Sequence, residues 1–191
     1  MTVLVGLHHP TVGTVIGSDR RVSTGYNHFD FLPTKWIVEH DWAVGCSGHL
    51  RTINLVEYHS DELLRNLTGP MDFTIRMMDM LTESKQYIGV AEKGDNVKDY
   101  GQCLLLANAK GVWEIGPDFS VCPAPVNHMI ATGSGYQYAL GCGYATRQVK
   151  DPVERVSQAI LAATNNDPNC GGEPWVAVMK EAKPPNKRVA R

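Results

Sequence analysis

MTVLVGLHHPTVGTVIGSDRR, positions 1–21, is the stretch on which the reading of the fold turns. Thr2 to His8 is an apolar run rich in β-branched residues, and Gly13 to Asp19 is a second, with the HHPT turn between them. Branching at Cβ stiffens χ1 and suits a pleated surface, so both runs read as strands. Two shorter runs follow, Lys35 to Glu39 and Trp42 to Cys46, and the tight His40-Asp41 corner makes them a hairpin.

From His49 the hydrophobic period lengthens. Leu50, Ile53, Val56, Leu63, Leu64 and Leu67 fall on one face at helical spacing, and Gly69-Pro70 is expected to end that helix. A second helix is expected from about Met71 to Ile88, with Phe73, Met77, Met80, Leu81 and Ile88 as its core side and its methionines as filler. EKGDNVKDYG reads as a loop. Strands return at Gln102 to Asn108 and Gly111 to Ile115 around the Ala109-Lys110 turn. TGSG (Thr132 to Gly135) opens a helix through about Gln148, Pro152 starts another, and Pro174 to Met179 is the closing strand. Segregated blocks of strands and helices suggest an α+β layered fold, with helices on the outer faces of packed sheets. One domain over 1–182 is expected, with 183–191 (Pro-rich and basic) as a disordered tail.

The 191 residues suffice for a sizeable core, and 43% hydrophobic with 20% charged residues is an ordinary globular balance. A net charge of -2 gives no field that would invite nucleic acid or an anionic membrane, so neither is expected as a partner. The start has no signal-peptide form, and no window reaches the roughly 18 apolar residues of a membrane span. A cytoplasmic location is the expectation. Five cysteines, widely spaced and without a CxxC pair, point to reduced thiols rather than disulfides or a zinc site. His8-His9 lacks a third ligand at recognisable spacing, so these are turn residues and no metal is expected; no phosphate loop is present, and no cofactor is expected.

MTVLVGL, GSDRR, a lone Lys35, CSG before a helix, TGSG before another, and NDPNCGG before the last strand occur in that order. Together they resemble the proteasome β-subunit family of N-terminal-nucleophile hydrolases, from Thr2 to about Met179. The resemblance implies a four-layer αββα sandwich and a threonine-type peptidase. Its nucleophile would be Thr2 once Met1 is removed, which aminopeptidases do before small residues. A threonine hydroxyl needs a base, and the α-amino group of the same residue can be that base, with an ordinary pKa of roughly 7.7–8.0.

By the same resemblance, Asp19 and Lys35 are the family's acid and lysine, and Gly48 supplies the oxyanion-hole N–H. Ser134 and Asp167 support the terminal amine. At Cys170 the sequence departs from the family, which has serine before the paired glycines; a thiol is the weaker hydrogen-bonding group. The HHPTVG turn is about one residue longer than the family's usual turn. Placing Thr2 at the nucleophile position puts Val5-Gly6 where proteasomal strands often carry that pair. Arg21, Val22 and Ser23 would pair with an extended peptide, and Val22, Pro33 and Cys46 would wall its pocket. A homo-oligomeric ring acting on peptide or unfolded protein follows, with any ATP-dependent unfoldase a separate chain. Two other readings remain open at this level, a non-catalytic ring or scaffold subunit and an amidase of the wider superfamily.

Overall fold

The structure is a computed structural model that describes residues 2–24, 27–30, 34–48, 50–83 and 103–181. The first two apolar runs become β1 (Leu4–His9) and β2 (Gly13–Ser18), paired antiparallel with Leu4 opposite Ser18. A small ribbon follows, β3 (Val22–Thr24) with β4 (Asn27–Phe29). Next comes the expected hairpin, β5 (Trp36–Glu39) and β6 (Trp42–Ser47), turned at His40 with φ 53°. Helices α1 (Leu50–Tyr58), α2 (Ser60–Leu64) and α3 (Pro70–Glu83) come before β7 (Cys103–Asn108), β8 (Gly111–Ile115), β9 (Val121–Pro123) and β10 (Met129–Thr132). The chain continues through α4 (Tyr136–Ala145) and α5 (Pro152–Asn166) to β11 (Trp175–Met179).

Two antiparallel sheets result, ordered β10-β1-β2-β11 and β5-β6-β7-β8-β9. The period-2 alternation of the strands divides the side chains among three buried layers. Leu4, Ile16, Trp36, Ala43, Leu105 and Val112 meet between the sheets. Val3, Val5, Leu7 and Val15 point the other way, onto Val156, Ala159, Ile160 and Ala163 of α5. Val44, Cys46, Leu104 and Leu106 face Val56, Leu63, Leu64, Phe73 and Met77 of the first three helices. This is the αββα sandwich. Trp36 also ties the sheets through a bond its Nε1–H donates to the Gly17 carbonyl at 2.9 Å.

Several boundaries differ from the sequence reading. The single helix from Leu50 is two, α1 and α2, whose apolar residues line the same core and so share one apparent stripe. Asn66, at φ 52°, turns the chain out after α2, a left-handed conformation that Asn tolerates. Pro70 opens α3 rather than closing the helix before it, because the first helical position does not use its N–H. Within α3 the description ends at Glu83, so the continuation to Ile88 and the EKGDNVKDYG loop lie outside the described residues, as does the tail 183–191. The resemblance places a strand after Asp19, near Arg21 to Ser23, and β3 lies there, whereas β4, β9 and β10 had no reading of their own. Each has three or four residues, and pairing rather than an apolar run defines it. His8 and His9 end β1 instead of forming the turn, and His8 Nδ1 lies 3.0 Å from Thr14 Oγ1.

Candidate active site

β2 runs inward and ends at Ser18, which delivers Asp19 to a place with no solvent exposure at all. A carboxylate there must find donors for its lone pairs, and it has four. Oδ1 accepts from Lys35 Nζ at 2.6 Å and from the Val3 N–H at 2.9 Å; Oδ2 accepts from the Arg21 N–H at 3.2 Å and the Gly171 N–H at 3.1 Å. One side chain thus fastens the start of β1, the segment after β2, the entrance to β5 and the loop after α5. Lys35 is 7% exposed. Burial pulls its ammonium below the ordinary lysine value, while the Asp19 charge opposes that fall.

Thr2 precedes β1 and is 5% exposed. Its neighbour Val3 donates to the same Asp19 oxygen that holds Lys35. On its other side the Thr2 carbonyl accepts from Gly135 N–H at 3.3 Å and Ser134 Oγ at 3.4 Å. Gly133 makes this approach feasible: its φ is 95°, and a Cβ there would lie 2.2 Å from the Thr2 oxygen. Ser134 is not an N-cap. Gly135 holds that position in α4 without a side-chain cap bond, and the Ser134 hydroxyl turns to Thr2 and Cys170.

Asp167 ends α5, where its N–H donates to Ala163 and its Oδ1 accepts the Asn169 N–H at 2.9 Å. Cys170 Sγ donates to Asp167 Oδ2 at 3.4 Å and lies 3.8 Å from Ser134 Oγ, so a polar chain runs from Asp167 through Cys170 and Ser134 to Thr2. Burial first, and the Asp19 charge second, push the Cys170 thiol up to about 12. It stays protonated at neutral pH and acts as a weak donor, not a nucleophile. Burial pushes the Asp167 carboxyl up as well, but donors from Ser134, Asn169 and Cys170 outweigh it and hold the group below its ordinary value.

Thr2 opens onto a cleft of about 590 Å³, whose wall includes Ser47, Gly48, Thr132, Gly133 and Ser134. Gly48 is exposed at φ 120°, a conformation that a side chain would strain. Arg21 is elsewhere. Its guanidinium pairs with Asp30 at 2.6 Å and donates to the Pro168 carbonyl at 2.8 Å, and it fills the space where a Cβ of Gly171 would sit. Val22 and Ser23 lie on β3, opposite Phe29 and His28. One expectation is corrected here: Cys46 is 2% exposed and points into the layer beneath the helices, because alternation along β6 sends Val44 and Cys46 away from the cleft. Pro33 lies outside the described residues.

Sequence reading also missed the backbone donors of Arg21 and Gly171 and the cleft residues Cys103, Glu114, Tyr136 and Leu140. The paired glycines signalled the first; nothing local signalled the rest. Glu39, His40 and Asp61, at the other end of β5 from Lys35, bring potential metal-ligand atoms within 4.8 Å of one another. Asp61 there already pairs with Arg65 and His40, as in an ordinary surface charge network.

No family model matches the chain, and no curated protein matches it in sequence. Solved structures do match. BPH of Thiobacillus denitrificans superposes with a TM-score of 0.77 at 19% identity, over 95% of this chain and 99% of that one. The same protein in complex with epoxomicin gives 0.75 at 18%, over 95% and 100%. Eukaryotic HslV from Trypanosoma brucei gives 0.68 at 19%, over 94% and 99%. The fold is that of the proteasome-type N-terminal-nucleophile hydrolases. In this chain the proteasome-type sandwich is matched nearly end to end, so the residues around Thr2 sit within the shared architecture. Among the described residues, no helix is long and apolar enough to cross a membrane.

Two outcomes follow from the electrostatics. Asp19→Asn leaves Lys35 buried without its counter-charge and should cost about 3–5 kcal/mol, read as a lower urea midpoint. Asp167 has a lowered folded pKa, so its stabilisation is present above the unfolded value of about 3.9 and is lost as pH falls through the lower folded one. The gap in urea midpoint between the wild type and Asp167→Asn should therefore be open at neutral pH and narrow below about pH 4.

Proposed function

We propose that the chain is a threonine-type peptidase whose nucleophile is Thr2, exposed by removal of Met1. The observation that carries this reading is the Asp19 carboxylate. It holds Lys35 and the N–H of the residue next to Thr2 on one oxygen, and Thr2 itself lines a cleft together with Gly48.

In this reading the Thr2 hydroxyl attacks the scissile carbonyl while the Thr2 amine, directly or through water, takes its proton. Lys35 opposes protonation of that amine and lowers the cost of the alkoxide; Asp19 keeps Lys35 in place. The Gly48 N–H stabilises the tetrahedral oxyanion. The proton then passes to the leaving amine as the C–N bond breaks, leaving an ester on Thr2. Water attacks the ester, releases the acid and restores the hydroxyl. Ser134, Asp167 and Cys170 orient the terminus, since their polar chain ends on the Thr2 carbonyl. Cys170 takes the serine's place in that chain with a weaker bond.

The acyl part of an extended peptide would pair with the backbone of β3, which has only β4 as a partner among the described residues. Assembly into a homo-oligomeric ring, an unfoldase on a separate chain and a cytoplasmic location belong to the same proposal. A scaffold subunit would have no use for an ion pair buried beside its first residues.

The test uses epoxomicin, the molecule bound in the Thiobacillus denitrificans structure. Native protein should begin at Thr2 by intact mass and take up one label on its N-terminal peptide. Thr2→Ala should take up none and lose peptide hydrolysis by ~10³-fold or more. Equal labelling of both proteins, or a retained Met1 in fully native material, would overturn the assignment.

A further inference from the structure

The cleft beside Thr2 contains a charge that the proposed chemistry does not use. Among the described residues that line it, Glu114 is the only one with a carboxylate or a basic side chain. The register of β8 sets where it points. Val112 and Glu114 share a face, Val112 packs between the sheets, and Glu114 lies opposite Leu105, another residue of that inner layer. Glu114 is therefore an inward-facing carboxylate at the end of the sandwich that opens on Ala131 and Thr132. It is partly buried, and among the described residues no ion pair or hydrogen bond engages its carboxylate. An apolar side chain would continue the row of Leu105 and Val112, so a carboxylate at this register position sets a negative charge where the pattern calls for none. A cationic ligand group could take the place of the water on it.

We infer that Glu114 selects the substrate: the cleft receives the leaving-group side of the scissile bond, and Glu114 favours a lysine or arginine side chain there. This rests on the peptidase reading. The side follows from the described lining residues: Arg21 and Val22 are not among them, so the cleft lies away from the start of the strand that would hold the acyl part. A guanidinium or ammonium entering the cleft meets a carboxylate stripped of part of its hydration and screened less than at an open surface, where a charge-assisted hydrogen bond is strong. An acidic side chain meets like charge. Among the described lining residues, Glu114 is the one side chain that would discriminate by charge.

The experiment compares peptides identical except for the residue after the cut (Arg, Leu or Glu) on wild type, Glu114→Gln and Glu114→Lys. Cut sites in denatured casein, mapped by mass spectrometry, give a second readout. Wild type should prefer Arg to Glu in kcat/KM by about tenfold or more, Glu114→Gln should bring the two within about threefold, and Glu114→Lys should invert the order. Glu114→Gln keeps the side-chain shape, so it decides the matter even where Glu114→Lys disturbs folding, which a thermal melt reads. Cutting that depends on Thr2 but ranks the three peptides alike in wild type and Glu114→Gln overturns this inference alone. Absence of any Thr2-dependent cutting overturns the peptidase reading, and this inference falls with it.

Discussion

A single carboxylate with no access to solvent organises the chain's start. Asp19 is reached only because β2 carries the backbone into the interior and stops there, and it is tolerated only because four donors converge on it. Three are backbone N–H groups fixed by secondary structure or by the loop after α5; the fourth is Lys35. Buried ion pairs seldom raise stability beyond what apolar residues of similar size would give. Its value here is positional. The same oxygen locates an ammonium and the amide that follows Thr2, so the segment that carries Thr2 and the cation are set by one atom.

The sandwich makes that arrangement rigid. Val3 and Leu4, flanking the Asp19 contact, enter different layers, one under α5 and one between the sheets. Trp36, next to Lys35, is packed between the sheets and bonded to Gly17, two residues before Asp19. Movement of either end of the ion pair would open a core. The approach of Gly133 to the Thr2 carbonyl adds a contact from the opposite side, where a side chain could not fit.

Much of this was legible in the sequence because the strands and helices on which it hangs are long apolar runs with a clear period. Motif order located Thr2, Asp19, Lys35, Gly48, Ser134, Asp167 and Cys170, and the structure gathers Thr2, Gly48 and Ser134 at the cleft with the others hydrogen-bonded behind them. Cys46 was misjudged because proximity to Gly48 in sequence says nothing of which face of β6 it takes; alternation from Val44 decides that. The helix from Leu50 was read as one because α1 and α2 face one core. β10 was hidden, since its four residues pair with β1 from over a hundred residues away. Glu114 carried no local mark: its meaning comes from the register that sets it opposite Leu105.

The departure at Cys170 shows how the fold constrains chemistry. A protonated thiol keeps the polar chain from Asp167 to Ser134 intact while offering no competing nucleophile. In the proposed peptidase reading, tuning of the amine that Met1 removal would expose falls to Lys35. Titration of the Thr2 α-amino group by ¹⁵N NMR, in native protein and in Lys35→Met, tests that coupling. In the native protein the amine should titrate below the ordinary value of about 7.7–8.0, and loss of the Lys35 charge should raise it. An amine that titrates alike in both proteins would contradict the account.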